Sequence, residues 1–359
     1  MAYTTIDDPS AHFQTLIYTG NGGASRALTN TGNSDLQPDW LWIKKRNASR
    51  SHTLTDSSRG LTKYYEADDN GAEGTFTDKV LSVQSDGFTV GDNSSVNANN
   101  DTYVAWQWKA NGGTTTTNDA SSTSVGTIDS VYQANTTAGF SIVTYTGTGS
   151  AGTIAHGLGV APTVIIGKDR SDTSQWFVQH PALGATHYGE LDDTTAFADD
   201  ANYFNDSTPT STVFGVGSDG ATGGTTNYVA YCFAPIQGYS KFGSYTGNNN
   251  ADGPFVYTGF KPAWVMWKRS DASGNSWGLV DHRRNKNDTS DIGNVIDAYL
   301  NPDLNNDDGG NSATMDFLSN GFKIRRTGNF INVDGSTYIY MAFAESPFVS
   351  SEGVPTTAR

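Results

Sequence analysis

The chain has 359 residues, a formal net charge of −15 and a single cysteine. That charge argues against a nucleic-acid partner, which needs basic residues clustered against phosphate, and one cysteine forms no intrachain disulfide. No apolar run approaches the roughly 20 residues of a membrane span and no basic-then-apolar leader opens the chain, so a soluble protein without membrane insertion is expected.

Hydrophobic residues make up only 36% of the chain, but 12% is aromatic, with 8 Trp, 17 Tyr and 17 Phe that each bury a large area. With 40 glycines and abundant Thr, Ser, Asn and Asp, the composition favours short strands and turns over long helices. The segment 291–300 is the one place where a short helix is expected.

After a lead-in of residues 1–12, a first unit occupies 13–110. Its Tyr18-Thr19-Gly20 turn is followed by the apolar run Pro38-Asp39-Trp40-Leu41-Trp42-Ile43-Lys44. The turn-then-strand Ser85-Asp86-Gly87-Phe88 comes next, and Tyr103-Val104-Ala105-Trp106 closes the unit. Residues 111–138 form a Gly/Thr/Ser-rich linker with a flexible composition, in which Ile128 to Val131 reads as a short strand tied to a neighbour. The plan then recurs over 139–236, with Tyr145-Thr146-Gly147, Pro162-Thr163-Val164-Ile165-Ile166-Gly167-Lys168 and Tyr228-Val229-Ala230-Tyr231. It recurs again over 239–348, with Tyr245-Thr246-Gly247, Pro262-Ala263-Trp264-Val265-Met266-Trp267-Lys268 and Tyr340-Met341-Ala342-Phe343. Residues 349–359 form a polar tail.

A period near 100 residues is too long for a solenoid unit and matches a small domain. Each proline-led run is continuously apolar, the pattern of a strand covered on both faces, so a second layer must lie over it. Its closing lysine marks emergence into solvent. The Asp-Gly and Asn-Gly steps read as tight hairpin turns with positive φ. The expected fold is all-β: three tandem antiparallel β-sandwich repeats, jelly-roll or concanavalin-like, with little helix.

Three features invite a functional reading. The first is a row of bulky residues after each lysine, His52, Trp176 and Trp277, followed by Asp56, His180 and Asp281-His282-Arg283. Aromatics beside carboxylates are what sugar-binding surfaces use, but recurrence in every copy points to domain building. The second is the acidic loop Asp303-Leu304-Asn305-Asn306-Asp307-Asp308-Gly309, which resembles the start of a calcium loop. Its glycine comes one residue late and Thr314 stands where the bidentate glutamate belongs, so a solvated turn is the better reading. The third is catalysis by paired carboxylates. Asp68-Asp69, Asp192-Asp193 and Asp199-Asp200 are available, yet none is singled out. His156-Gly157-Leu158-Gly159 reads as a turn with its histidine satisfied by backbone, and Cys232 as a buried thiol. No nucleophile elbow, zinc motif or phosphate loop occurs. No catalytic residue, metal site or cofactor is therefore assigned, no ligand-binding residue is identified, and a non-enzyme is expected.

The strings quoted above, together with Gly139-Phe140-Ser141-Ile142-Val143-Thr144-Tyr145, resemble a repeat of virion proteins of tailed bacteriophages, marine ones above all. The resemblance covers nearly the whole chain and is looser in the third copy, which has Gly259-Phe260-Lys261-Pro262 in place of the His-Gly-Leu-Gly turn. It implies a virion-surface protein assembled in the bacterial host cytoplasm, a fibre or tail-tip component contacting host surface glycans. Its partners would be other virion proteins and further copies of itself, with a trimer as the expected symmetric homo-oligomer. A capsid decoration or head-fibre protein is the structural alternative, and a polysaccharide depolymerase the alternative from another class. Whether the repeats line up as a rod or close around a threefold axis stays open.

Overall fold

Along Trp40–Lys45, alternate side chains must find cover on opposite faces of one strand. In the computed structural model, which describes residues 2–284, 295–310 and 314–356, they find it in two different places. Leu41 and Ile43 pack with Leu28, Phe88 and Val90 in a core private to repeat one. Trp40 and Trp42 point the other way, into a core built by all three repeats. The same division holds in repeat two, where Ile165 enters a private core and Val164 and Ile166 the shared one. In repeat three Val265 and Trp267 are private, and Trp264 and Met266 shared.

Each repeat is a β-sandwich of an inner and an outer antiparallel sheet. The inner sheet of repeat one has the order Phe13–Thr19, Thr102–Trp108, Trp40–Lys45, Thr53–Asp56. Repeat three follows it with Ser240–Thr246, Thr337–Pro347, Phe260–Arg269 and Gly278–Asp281. Repeat two has the same four at its centre: Phe140–Thr146, Asn227–Phe233, Val164–Asp169 and Phe177–Gln179. The outer sheets are smaller, such as Gly152–Ala155 paired with Val213–Val216 in repeat two. The second layer predicted over the proline-led runs is present, and the large–small alternation of the closing strands separates the two cores. Tyr228, Ala230 and Cys232 face the private one, Val229, Tyr231 and Phe233 the shared one.

The shared core is aromatic and closes the three repeats into a ring. Trp40 of repeat one stacks on Tyr231 of repeat two with centroids 4.3 Å apart. Trp108 of repeat one meets Trp264 of repeat three edge-on at 5.7 Å, and Phe233 of repeat two meets Phe343 of repeat three at 5.8 Å. Each such contact adds about 0.5–1.5 kcal/mol beyond its buried area.

The recurring Tyr-Thr-Gly turn has a defined task. Its tyrosine stacks on the first tyrosine of the closing strand, at 5.2 Å for Tyr18–Tyr103, 5.0 Å for Tyr145–Tyr228 and 5.1 Å for Tyr245–Tyr338. In repeat three the equivalent of Tyr103 is therefore Tyr338 and not the Tyr340 that the recurring string picked out. Its hydroxyl tethers the loop before that strand, donating to the carbonyls of Val96, Thr222 and Ile331. The same loop lies against the glycine: a Cβ on Gly20, Gly147 or Gly247 would stand 2.0, 2.0 or 2.1 Å from a carbonyl oxygen.

Four expectations are corrected. The linker is ordered: Thr116–Asn118 and Ser130–Asn135 extend the sheet of repeat two, because β-branched and aromatic residues serve an open sheet edge whatever their complexity. Ile128 does bridge to Ile154, as the short-strand reading required. Of the segment 291–300 expected as a helix, 291–294 lie outside the described residues, and Val295–Ile296 is strand. Among the described residues, short α-helices lie instead at Ala120–Thr123 and Ala201–Phe204, with a 3-10 turn at Pro9–Ala11. The Asp-Gly and Asn-Gly turns are centred one residue earlier, at Ser85-Asp86 and Ser319-Asn320. Gly87, which has the expected positive φ of 113°, and Gly321, which does not, open the next strand under carbonyls that a Cβ would approach to 2.0 and 2.1 Å. Finally, Lys44, Lys168 and Lys268 are each 0% exposed rather than solvent-facing.

Because each inner sheet needs the other two repeats to cover one face, the ring should unfold as a unit. Scanning calorimetry of the full chain is expected to show one transition whose calorimetric and van't Hoff enthalpies agree. Three resolved transitions would mean that the repeats are independent.

Candidate functional site: the seams between repeats

The row of bulky residues singled out in the sequence lies in the seams, and each member reaches into a neighbouring repeat. Trp176 of repeat two donates its indole N–H to the Glu66 carbonyl of repeat one at 3.1 Å. Trp277 of repeat three donates to the Glu190 carbonyl of repeat two at 2.8 Å. His52 of repeat one completes the cycle, its Nε2 3.0 Å from the Asn301 carbonyl of repeat three. The Nδ1 of His52 accepts the Trp42 indole N–H at 2.8 Å, which places the proton on Nε2. Burial pushes this imidazole well below its ordinary pKa, so it is neutral.

The second row also bridges repeats. Asp56 accepts the Tyr231 hydroxyl of repeat two at 2.8 Å, and Asp281 accepts the Trp106 indole N–H of repeat one at 3.0 Å. His180 points its Nε2 at the Tyr340 carbonyl of repeat three, 3.0 Å away, and burial lowers its pKa to about 4. Contacts of one kind, repeated head to tail, generate a closed ring.

Two seams carry buried ion-pair chains that the sequence reading missed. In the first, Arg59 Nε lies 2.5 Å from Asp56 and its Nη1 2.9 Å from Glu73, which also takes Arg170 of repeat two at 2.9 Å. In the second, Arg284 lies 2.5 Å from Asp281 and 2.7 Å from Asp308, which takes Arg46 of repeat one at 2.8 Å. Burial by itself raises the Asp281 carboxyl, but the Arg284 guanidinium carries it below the usual carboxylate value. In the third seam the corresponding residues are apolar or neutral. The backbone pairs Glu73–Arg170 and Asp308–Arg46 correspond to Phe197–Ser270. Leu183 stands where the arginines do, and both Leu183 and Phe197 pack on the shared core.

Two of the acidic pairs and the acidic loop also occupy equivalent places. Asp68, Asp192 and Asp303 accept the backbone N–H of His52, Trp176 and Trp277 at 2.8, 2.9 and 3.0 Å. Asp69 and Asp193 cap turns at Gly71 and Thr195, and Asp200 caps the Ala201–Phe204 helix. The acidic loop is both a solvated turn and part of a seam: Leu304, Asn305 and Asp307 are exposed, while Asp303 and Asp308 are 6% and 4% exposed and Asn305 offers its carbonyl to Lys44. The buried lysine ammoniums are solvated by such carbonyls, Lys268 by those of Thr194 and Arg269 at 3.3 Å each. Burial lowers Lys44, Lys168 and Lys268 to about 8.

His156 is satisfied by backbone as expected, between the Thr210 carbonyl and the Leu158 N–H, and Cys232 is buried. His282 spends its Nδ1 on the Ala263 carbonyl. With Arg283 it lines a cavity of about 300 Å³ between repeats one and three.

The ion-pair chains give a sharp test. Arg59→Leu alone strands the buried Asp56 carboxylate, while Glu73 keeps Arg170, and should cost about 3–5 kcal/mol in urea unfolding. Adding Asp56→His, Glu73→Phe and Arg170→Ser copies the third seam and should recover most of that loss.

Burial pushes Asp192 up to about 7 from 3.8, against the pull of Lys168 and with Glu190 adding to the rise. The folded chain therefore holds a proton that the unfolded chain releases. This stabilising contribution is complete below about pH 4 and lost as the pH rises through about 7. Asp192→Asn should flatten that limb of the stability–pH curve, raising stability at pH 8 by up to about 4 kcal/mol.

A comparison with curated proteins finds no match. One family model matches residues 8–347, running through all three repeats, and its description is a domain of unknown function. The chain therefore belongs to the DUF7483 family.

Proposed function

We propose that this chain is a structural component of a tailed-bacteriophage virion, a fibre or tail-tip module that presents its outer surface to host glycans. The observation that carries this reading is the use of the recurring side chains. His52, Trp176, Trp277, Asp56, His180 and Asp281 are all committed to holding the ring together. What the three copies share in these side chains is architecture. A ring closed by aromatic packing and buried ion pairs holds its shape without disulfides, which suits assembly in a bacterial cytoplasm and service on a virion surface. The other partners on this reading are virion proteins and further copies of the chain.

Immunogold electron microscopy of intact particles, with antibody to the recombinant chain, tests the reading. Label on the tail or its fibres is the expected result. Label spread over the capsid would make the chain a decoration protein, and unlabelled particles together with reducing-sugar release from host polysaccharide would replace the reading by a depolymerase. Light scattering at micromolar concentration tests self-association, with a trimer expected and a monomer counting against it.

A further inference from the structure

Apart from its seam residues, repeat two departs from its siblings at a further buried place. Register pairs Leu41 with Thr55, Ile165 with Gln179 and Val265 with Val280, so Thr55, Gln179 and Val280 are equivalent. In repeat one, Thr55 donates its hydroxyl to the Leu61 and Lys63 carbonyls. The neighbouring Asp39 takes the N–H groups of Ala110, Gly112 and Gly113 and the Ser57 hydroxyl. In repeat three, Val280 and Ala263 leave nothing polar to satisfy. In repeat two, Gln179 is 3% exposed and both its Oε1 and its Nε2 lack a partner, as does the Thr163 hydroxyl.

Gln179 and Thr163 both line a cavity of about 180 Å³, together with Pro162, Pro181, Pro209 and Ala185. His180, also on the wall, is spent on the Tyr340 carbonyl and the Ala182 N–H. A buried carboxamide with no protein partner is costly to desolvate, and Val280 shows that the same position takes an apolar residue. A retained donor and acceptor at the wall of a cavity point to a ligand that pairs with both.

We infer that this cavity binds one neutral sugar unit of the 6-deoxyhexose class, with vicinal hydroxyls on the Gln179 carboxamide and its methyl group against the prolines. The carboxamide presents a donor and an acceptor side by side, which matches two adjacent hydroxyls, one accepting and one donating. The lining carries no acidic or basic side chain apart from the neutral, committed His180, which favours an uncharged ligand over a phosphate or carboxylate. The apolar walls favour a sugar that has exchanged a hydroxyl for a methyl group. The volume lies below the roughly 300–1,000 Å³ of drug-sized pockets and fits a single residue of a chain. The inference rests on the glycan-contacting reading and names the sugar class.

Saturation-transfer NMR on the full chain, with L-rhamnose and L-fucose as probes and D-glucose as the control, tests it. Transfer strongest at the methyl protons of a deoxyhexose, with at least about tenfold weaker binding in Gln179→Val, is expected. Because Gln179→Val copies repeat three, it should fold and melt no lower than the parent, so loss of transfer reports the site. Absence of transfer from both deoxyhexoses, or transfer unchanged in Gln179→Val, overturns the inference. If the chain then still binds host glycan on an array, the broader reading survives without this site. If the site binds a deoxyhexose but particles carry no immunogold label, the site stands and the virion reading falls.

Discussion

Each inner sheet of this protein has an apolar face on both sides, and no repeat can cover both by itself. The outer sheet covers one face with residues such as Phe88, Phe214 and Phe322. The other face, with Trp40, Trp108, Phe233, Trp264 and Phe343, is covered only when three repeats meet. Left exposed, it would be an extended aromatic surface that drives association. Closure into a ring removes it, and the remaining architecture follows from that need.

Closure also requires the correct register in every seam. A purely apolar contact is non-directional, whereas indole, imidazole and carboxylate contacts fix position to within a hydrogen bond. Each seam therefore pairs the shared aromatic core with an outer belt of polar tethers at Trp176, Trp277 and His52. Two seams add buried Asp–Arg chains, and the third replaces them with His180, Leu183 and Phe197. That exchange agrees with the near balance between buried ion pairs and well-packed apolar groups of similar size. The uneven choice distinguishes the seams from one another.

The candidate site was partly legible. The row of aromatics and carboxylates after each lysine stood out by recurrence, and its structural reading is what the seams contain. The arginines were missed, although Asp56 to Arg59 and Asp281 to Arg284 share one spacing of three residues. The lysines were misplaced, because a lysine after an apolar strand ordinarily ends in water. Here a loop from a neighbouring repeat lays its carbonyls over Lys44 and Lys268. Gln179 gave no signal at all, since an unpaired amide is visible only when its surroundings are known.

From the sequence alone came the all-β class, the triplication and the need for two covering layers. Those properties reside in local pattern: side-chain alternation, turn residues and the spacing of repeated strings. Only the tertiary structure decided that one of the two layers is the rest of the chain. It also decided that the linker pairs as strands and that the recurring polar residues face neighbouring repeats. An apolar face specifies that it must be buried but not by what, because the hydrophobic driving force carries no address. The address is supplied by shape and by hydrogen bonds between residues far apart in sequence, such as Trp106 to Asp281, and these exist only once the ring has closed.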